Sequence, residues 1–396
     1  MKVLLGVTGG IAAYKVGDLI RMLVKSGCQV RCCITDAGSR FITPLTLATL
    51  SGEPCFGANP EYHEWRPNPK VEHVDLARWA DVIAVVPATA DIIGKAANGL
   101  ANDLLSTVLL AANCKILWAP AMNAAMWKHP AVQNNLTKLS DYGHTIIEPE
   151  SGILACGEEG TGKLAGIEAI YDGVIALGSR QLNTFEGVHI LVTAGPTRED
   201  LDPVRTLTNR STGSMGIEMA KAFRNAGAKV HLVLGGDLPI PWGISTTRVR
   251  SAQEMLDACL AIWPQVAGVC AAAAVADQCP EELAPQKIKK SDVSDVLRLA
   301  NTPDILLSLN KTKKDQWMLG FAAESENYII NATEKLIKKG LDAIFVNDIA
   351  KGRGFGNQTN CLTPVTKVGP ANLIGPMAKE KLASEAVNWF ACYLEA

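Results

Sequence analysis

The chain has 396 residues, 48% hydrophobic and 20% charged, with 34 Gly and 20 Pro. That length exceeds what one hydrophobic core usually supports, and the composition excludes a disordered or fibrous chain. A formal net charge of −2 excludes the basic field that recruits nucleic acid or anionic lipid.

The eleven cysteines are irregularly placed and contain no C-x-x-C pair, which predicts a reducing, cytoplasmic setting rather than a disulfide framework or a zinc site. The sequence opens directly on a strand-like run and nowhere reaches about 18 uninterrupted apolar residues, so neither export nor a membrane span is expected.

In chain order, Val3 to Val7 reads as a strand, Thr8-Gly9-Gly10 as a turn, Ile11 to Ser26 as a helix closed by Gly27, and Gln29 to Ile34 as a second strand. Val82 to Val86 and Ile116 to Ala119 are apolar without alternation, the mark of parallel strands buried on both faces. Ala165 to Arg180 reads as a helix, and the polar stretch 181–187 as a connection. The opening order then returns: Val188 to Val192, the turn 193–197, a helix from about Ser211 to Asn225, Gly227, and Lys229 to Leu234. Val266 to Ala274, Met318 to Ala322 and Ala343 to Val346 supply further buried strands, and Asn331 to Gly340 a helix. The expected fold is α/β: two doubly wound, Rossmann-like three-layer domains with mainly parallel sheets, spanning 1–186 and 187–396.

Doubly wound sheets bind ligands beyond the carboxyl ends of their strands. The turn at 6–12, Gly-Val-Thr-Gly-Gly-Ile-Ala, lies in such a place, either as plain punctuation or as a phosphate cradle, and lacks G-x-G-x-x-G spacing. Pro-Ala-Thr-Ala-Asp at 87–91, Asn-Asp-Leu-Leu-Ser at 102–106 and Pro-Ala-Met-Asn at 120–123 follow later strands. Asn123 can hold a carboxylate or satisfy a turn; His73 is either a base or a surface residue; Cys156, in a glycine-rich loop, is either a reacting thiol or incidental. In the second half, Ser211 or Thr212 can cap a helix, Asp277 can hold a ribose hydroxyl or a metal, and the only compact basic cluster begins at Lys287. Lys335 and Lys339 share one helix face by their i,i+4 spacing. No G-x-x-x-x-G-K-[ST] is present, so a P-loop enzyme is not supported.

The ordered set T-G-G-I-A-A-Y-K, H-V-D-L-A-R-W-A-D, P-A-T-A-D, P-A-M-N-A-A-M-W and A-C-G-E-E-G-T-G-K resembles the flavin-containing cysteine decarboxylases, specifically the phosphopantothenoylcysteine decarboxylase domain of coenzyme A synthesis. That resemblance implies FMN, with Gly9, Gly10, Ile11, Ala12, Ala88, Thr89, Asp103, Ser106 and Met122 around it. It also implies His73 as base, Asn123 as holder of the substrate carboxylate and Cys156 as proton donor.

The later set T-A-G-P-T-R-E, N-R-S-T-G-S-M-G, A-A-V-A-D, K-I-K-K, T-P-D-I-L, G-F-A-A-E and V-N-D is similar to the CTP-using phosphopantothenate-cysteine ligases. It implies that Asn209 acts on an acyl-cytidylate and that Lys287 stabilises charge during activation. By the same resemblance CTP is lined by Ala271, Ala272, Ala273, Asp277, Lys287, Pro303, Asp304, Ile305, Leu306, Phe321, Lys335 and Lys339, with Mg2+ at Asp277. The implied substrates are 4'-phosphopantothenate, cysteine and CTP, and the implied assembly is a homo-oligomer of flavin-domain trimers with paired ligase domains. A different amide ligase, or a flavoprotein regulatory subunit without catalysis, are the competing readings.

Overall fold

A computed structural model describes residues 1–57, 72–155, 157–178, 183–289, 296–324, 326–348 and 359–395. The chain divides into two compact units, Met1–Ser179 and Arg180–Ala396.

In the first unit the strands are β1 (Lys2–Val7), β2 (Gln29–Ile34), β3 (Cys55–Phe56), β4 (Val82–Ala88), β5 (Lys115–Pro120) and β6 (Thr145–Ile146). They form one sheet in the order β3-β2-β1-β4-β5-β6, every pair parallel. A hairpin of β7 (Glu150–Ile153) and β8 (Glu159–Lys163) stands apart from it. The helices are α1 (Val16–Lys25), α2 (Pro44–Ser51), α3 (Glu72–Trp79), α4 (Ala90–Ala97), α5 (Leu104–Ala111), α6 (Ala124–Lys128), α7 (Pro130–Asp141) and α8 (Ile167–Gly178). Leu76, Ile92, Leu105 and Leu136 from α3, α4, α5 and α7 pack with Leu4, Ile83 and Trp118 in one core, while α1 packs on α2 and α8. Fully buried strands between two helix layers explain why these segments read as apolar runs without alternation.

The second unit repeats the plan with β9 (His189–Ala194), β10 (Arg198–Asp200), β11 (Thr206–Thr208), β12 (Lys229–Gly235), β13 (Ser245–Val249), β14 (Gly268–Ala271) and β15 (Gln278–Pro280). It continues through β16 (Leu299–Asn301), β17 (Trp317–Glu324), β18 (Ala343–Asp348), β19 (Thr359–Thr366), β20 (Gly369–Pro370) and β21 (Ile374–Ala378). The main sheet runs β13-β12-β9-β14-β17-β18-β19-β20, with β21 also on β19. It is parallel up to β18 and antiparallel from there on. Its helices are α9 (Ser214–Asn225), α10 (Ala252–Ile262), α11 (Ile305–Asn310), α12 (Tyr328–Lys339) and α13 (Lys379–Glu395). Ile190, Val192 and Ala194 of β9 face α9 and α13, whereas Leu191 faces α10, α11 and α12.

Several boundaries differ from expectation for local reasons. The first helix starts as a 3-10 turn, Ile11–Lys15, closed by the Ala13 amide on the Gly10 carbonyl (2.9 Å). The helix expected from Ser211 starts at Ser214, because Gly213 has φ 77°, which no right-handed helix contains. The strand expected over 266–274 is regular only over Gly268–Ala271, but Ala272 and Ala274 still bond the Thr193 and Gly195 carbonyls. The helix expected from Asn331 begins at Tyr328 and ends on left-handed Gly340. Among the described residues no helix is long and apolar enough to cross a membrane.

Candidate functional sites at the two sheet switch points

In each unit the strand order reverses beside the first strand, between β1 and β4 and between β9 and β14. Helices leave in opposite directions there and open a crevice at the carboxyl ends of the strands. A cavity lies at each crevice, about 1040 Å³ in the first unit and about 540 Å³ in the second.

The floor of the first cavity is the turn after β1. A Cβ on Gly9 would stand 2.4 Å from the Ala37 Cβ, so only glycine lets the turns after β1 and β2 close together. Thr8 fixes the neighbouring turn: its hydroxyl donates to the Pro87 carbonyl (2.6 Å) and accepts from the Thr89 amide (3.3 Å). Gly9, Gly10, Ile11, Ala12, Thr89, Asp103, Met122 and Asn123 all line the space. Asp103 and Ser106 form a capping box at the start of α5, and Lys95 reaches Asp103 at 3.1 Å. Burial opposes ionisation of Asp103, but the Ser106 amide and the Lys95 ammonium outweigh it and hold the carboxyl below its usual range.

Ala88 and Ser106, expected to touch the flavin, are buried and do not line the cavity. Ser106 acts through Asp103, and the Ala88 carbonyl accepts from the Ala121 amide (3.1 Å), which sets the loop carrying Met122. His73 lies within the first turn of α3, half-buried, and does not line the cavity of its own chain.

The hairpin closes over this loop. A Cβ on Gly162 would lie 2.2 Å from the Met122 carbonyl, and the Met122 amide donates to the Gly162 carbonyl (2.9 Å). Asn123 accepts from the Ala125 amide (2.7 Å) and donates to the Glu158 carboxylate (3.0 Å). The amide expected to hold a carboxylate therefore already holds one, brought by the hairpin turn. Cys156 lies outside the described residues, while Ala155 beside it lines the cavity. The other ten cysteines are free. Burial pushes the Cys55 and Cys259 thiols up to about 12 and raises those of Cys32, Cys33 and Cys270 as well, which suits packing rather than reaction.

The second cavity gathers eleven residues that the sequence grouped: Ala271, Ala272, Ala273, Asp277, Pro303, Asp304, Ile305, Leu306, Phe321, Lys335 and Lys339. Asp304 caps α11 through the Leu307 amide (3.1 Å) and pairs with Lys339 (3.2 Å), and Lys335 pairs with Glu324. Asn209 does not line the cavity, but its amide donates to the carbonyls of Ala274 (3.1 Å) and Val275 (3.0 Å), which do. Lys287 is exposed and also lies off the cavity. Its segment is tied down by Asp202, whose fully enclosed carboxylate accepts from the Ile288 amide (3.3 Å) and from Arg205 (2.6 Å). That guanidinium holds the Asp202 carboxyl well below the usual range. Lys379 and Asn360 line the cavity without any signal in the sequence, because strands and helices distant in the chain bring them beside Ser214 of the N-R-S-T-G-S-M-G run.

No group of three or more His, Cys, Asp or Glu able to hold a metal is present among the described residues. Among those residues Asp277 therefore has no cage of protein ligands around it.

Residues 1–179 match the flavoprotein family and residues 185–393 match the DNA/pantothenate metabolism flavoprotein C-terminal domain. The chain is 42% identical over 393 residues to the coenzyme A biosynthesis bifunctional protein CoaBC of Bacillus subtilis, covering 98% of this chain and 96% of that protein. The protein of the same description from Haemophilus influenzae is 40% identical over 390 residues, with 98% and 96% covered. A crystal structure of the C-terminal domain of a CoaBC protein covers 54% of this chain and 98% of its own, at 37% identity and a TM-score of 0.47. With both domain families present in order and identity sustained along nearly the whole chain, the protein belongs to the family of coenzyme A biosynthesis bifunctional proteins.

Proposed function

We propose that the C-terminal unit joins cysteine to 4'-phosphopantothenate through an acyl-cytidylate made with CTP, and that the N-terminal unit decarboxylates the product to 4'-phosphopantetheine with FMN. The observation that carries this reading is the gathering of two motif sets, scattered along the sequence, around two cavities at the two switch points. The domain division we propose is decarboxylase over 1–186 and ligase over 187–396.

The residues of the first cavity fit a flavin mononucleotide. The volume suits a cofactor of that size, Gly9 removes side-chain bulk beside the turn, and Gly10 precedes the first helical turn with no side chain capping it. A bound flavin supplies the reversible two-electron sink that a cysteine carboxylate lacks, so that loss of CO2 does not leave an unstabilised carbanion. The chain's own residues then position and move protons. Asn123 exchanges Glu158 for the substrate carboxylate, His73 takes a proton during the first stage, and Cys156 returns one to the enethiolate. Lys335 and Lys339 face the triphosphate in the second cavity, Lys287 reaches the attacked phosphoryl group from its exposed segment off that cavity and offsets charge there, and Asn209 orders the loop behind the acyl-cytidylate. Mg2+ enters with CTP. We propose the cytoplasm as the site of the reaction.

The test is mass spectrometry of the products from phosphopantothenate, cysteine and CTP, repeated with ATP and with Cys156→Ser. Wild type should yield 4'-phosphopantetheine with CTP. Cys156→Ser should stay yellow, release CO2 and stop at the oxidised enethiol, and normal product from that variant would remove Cys156 from the mechanism.

His73 lies off its own cavity, which favours an assembly in which neighbouring subunits share each flavin site: trimers of this domain, with ligase domains paired. Inactive His73→Asn and Asn123→Asp chains, refolded together, should then regain about a quarter of wild-type decarboxylation on random mixing. No recovery in verified mixed oligomers would sink the shared site.

A further inference from the structure

Five charged residues line the cavity of the C-terminal unit: Asp277, Asp304, Lys335, Lys339 and Lys379. Two of the lysines are matched by carboxylates, Lys335 by Glu324 and Lys339 by Asp304. Lys379 is not. Its ammonium bonds the Ser214 hydroxyl at 2.9 Å and has no carboxylate partner among the described residues. The two kinds of lysine also come from opposite faces of the sheet. Lys379 opens α13, which packs on α9, whereas Lys335 and Lys339 belong to α12, which packs with α10 and α11. The cavity is thus lined by two lysines already paired with carboxylates and by a third, Lys379, held on a hydroxyl, with Ser211 and Thr212 lining the cavity beside Ser214. Thr212 and Ser214 stand 3.0 Å apart, oxygen to oxygen.

An ammonium in a partly enclosed cleft is costly unless an anion joins it, and a point charge next to several hydroxyl donors suits a tetrahedral oxyanion better than a planar carboxylate. We propose that Lys379, seated on Ser214, binds a phosphoryl group of a ligase substrate. The inference rests on the ligase reading above, in which two substrates carry phosphate: the nucleotide and 4'-phosphopantothenate. It adds to that site a residue that no motif contains. In the sequence Lys379 stands in Lys379-Glu380-Lys381, outside every motif quoted above.

The test is calorimetric binding of CTP and, separately, of 4'-phosphopantothenate to the full chain, as wild type, Lys379→Met, Lys379→Arg and Ser214→Ala. Lys379→Met should weaken one of the two ligands about tenfold or more and leave the other within about twofold, and the weakened one identifies the phosphate concerned. Lys379→Arg should recover most of that loss, which a merely structural lysine would not require, and Ser214→Ala should show a smaller loss for the same ligand. Thermal melting checks that the variants fold. Wild-type and Lys379→Met chains binding both ligands equally, or a wild type that binds neither, overturns the assignment. Failure of the wild type to form product from CTP while binding phosphates normally would instead overturn the ligase reading, and the binding arms would still decide Lys379.

Discussion

Asp202→Asn is expected to lower ligase turnover on the order of a hundredfold, although Asp202 lines neither cavity. Its two carboxylate oxygens collect the Val204 and Arg205 amides (2.8 and 2.9 Å), the Arg205 guanidinium, and the Ile288 amide that follows Lys287. An asparagine accepts through one oxygen only: with its NH2 group at the Oδ2 position the Arg205 guanidinium and the Ile288 amide both lose their acceptor, and with the amide flipped the Val204 and Arg205 amides lose theirs and the turn that presents the side chain is lost. Among the described residues, the segment carrying Lys287 then keeps the bond from the Ala284 amide to the Leu201 carbonyl (3.2 Å) as its tie to residues 201–205. With the charge-stabilising role proposed for Lys287, a displacement near 1 Å is enough for a loss of that size. The check is a cycle of Asp202→Asn, Lys287→Gln and the double variant. If Asp202 works by placing Lys287, the double variant should be no slower than Lys287→Gln alone. Additive losses, or turnover within about threefold of wild type for Asp202→Asn, would refute the positioning role.

Gly195→Ala should destabilise the C-terminal unit by about 2–5 kcal/mol, the sum of a left-handed backbone at a residue with a Cβ and an overpacked contact. Gly195 has φ 83°, and a Cβ there would lie 1.8 Å from the Gly235 carbonyl oxygen, where the chain leaving β9 presses on the end of β12. Neither partner is a side chain that can turn aside. The loop must move, and with it the Ala274 amide, which bonds the Gly195 carbonyl at 2.9 Å, and Gly213, whose own Cβ position is 2.6 Å from the Gly195 Cα. Scanning calorimetry should show a fall on the order of 10 °C in the transition of the C-terminal unit. The flavin-bearing unit, with its own core, should melt as in wild type, and an unchanged pair of transitions would disprove the account.

The strands flanking each switch point were legible because a strand buried on both faces must be apolar, as Val82 to Val86 and Ile190 to Val192 show. Small elements with no apolar pattern were not. The hairpin of β7 and β8 is mostly exposed, and β10, β11, β15 and β16 are three-residue pieces defined by pairing partners rather than by their own composition. The antiparallel end of the second sheet was missed for a related reason: β19 includes Pro364 and β21 includes Pro376, and proline argues against a strand; β21 ends its pairing on β19, whereas β19 is an interior strand paired with β18, β20 and β21.

For the sites, the division follows what each kind of information contains. The sequence by itself determined the two-fold plan and the glycine turns, because turns made just after a strand are set by a few neighbouring residues, and the eleven residues that line the second cavity were implied by the resemblance to the ligases. Only the tertiary structure decided which candidates share a space. It moved Ala88 and Ser106 behind the cavity wall, set His73 away from its own chain's cavity, engaged Asn123 with Glu158, and brought Lys379 across 165 positions to Ser214. A side chain's local sequence records its helix or strand, whereas what its charged end meets depends on how separate layers pack, and that packing is written nowhere in the neighbouring residues.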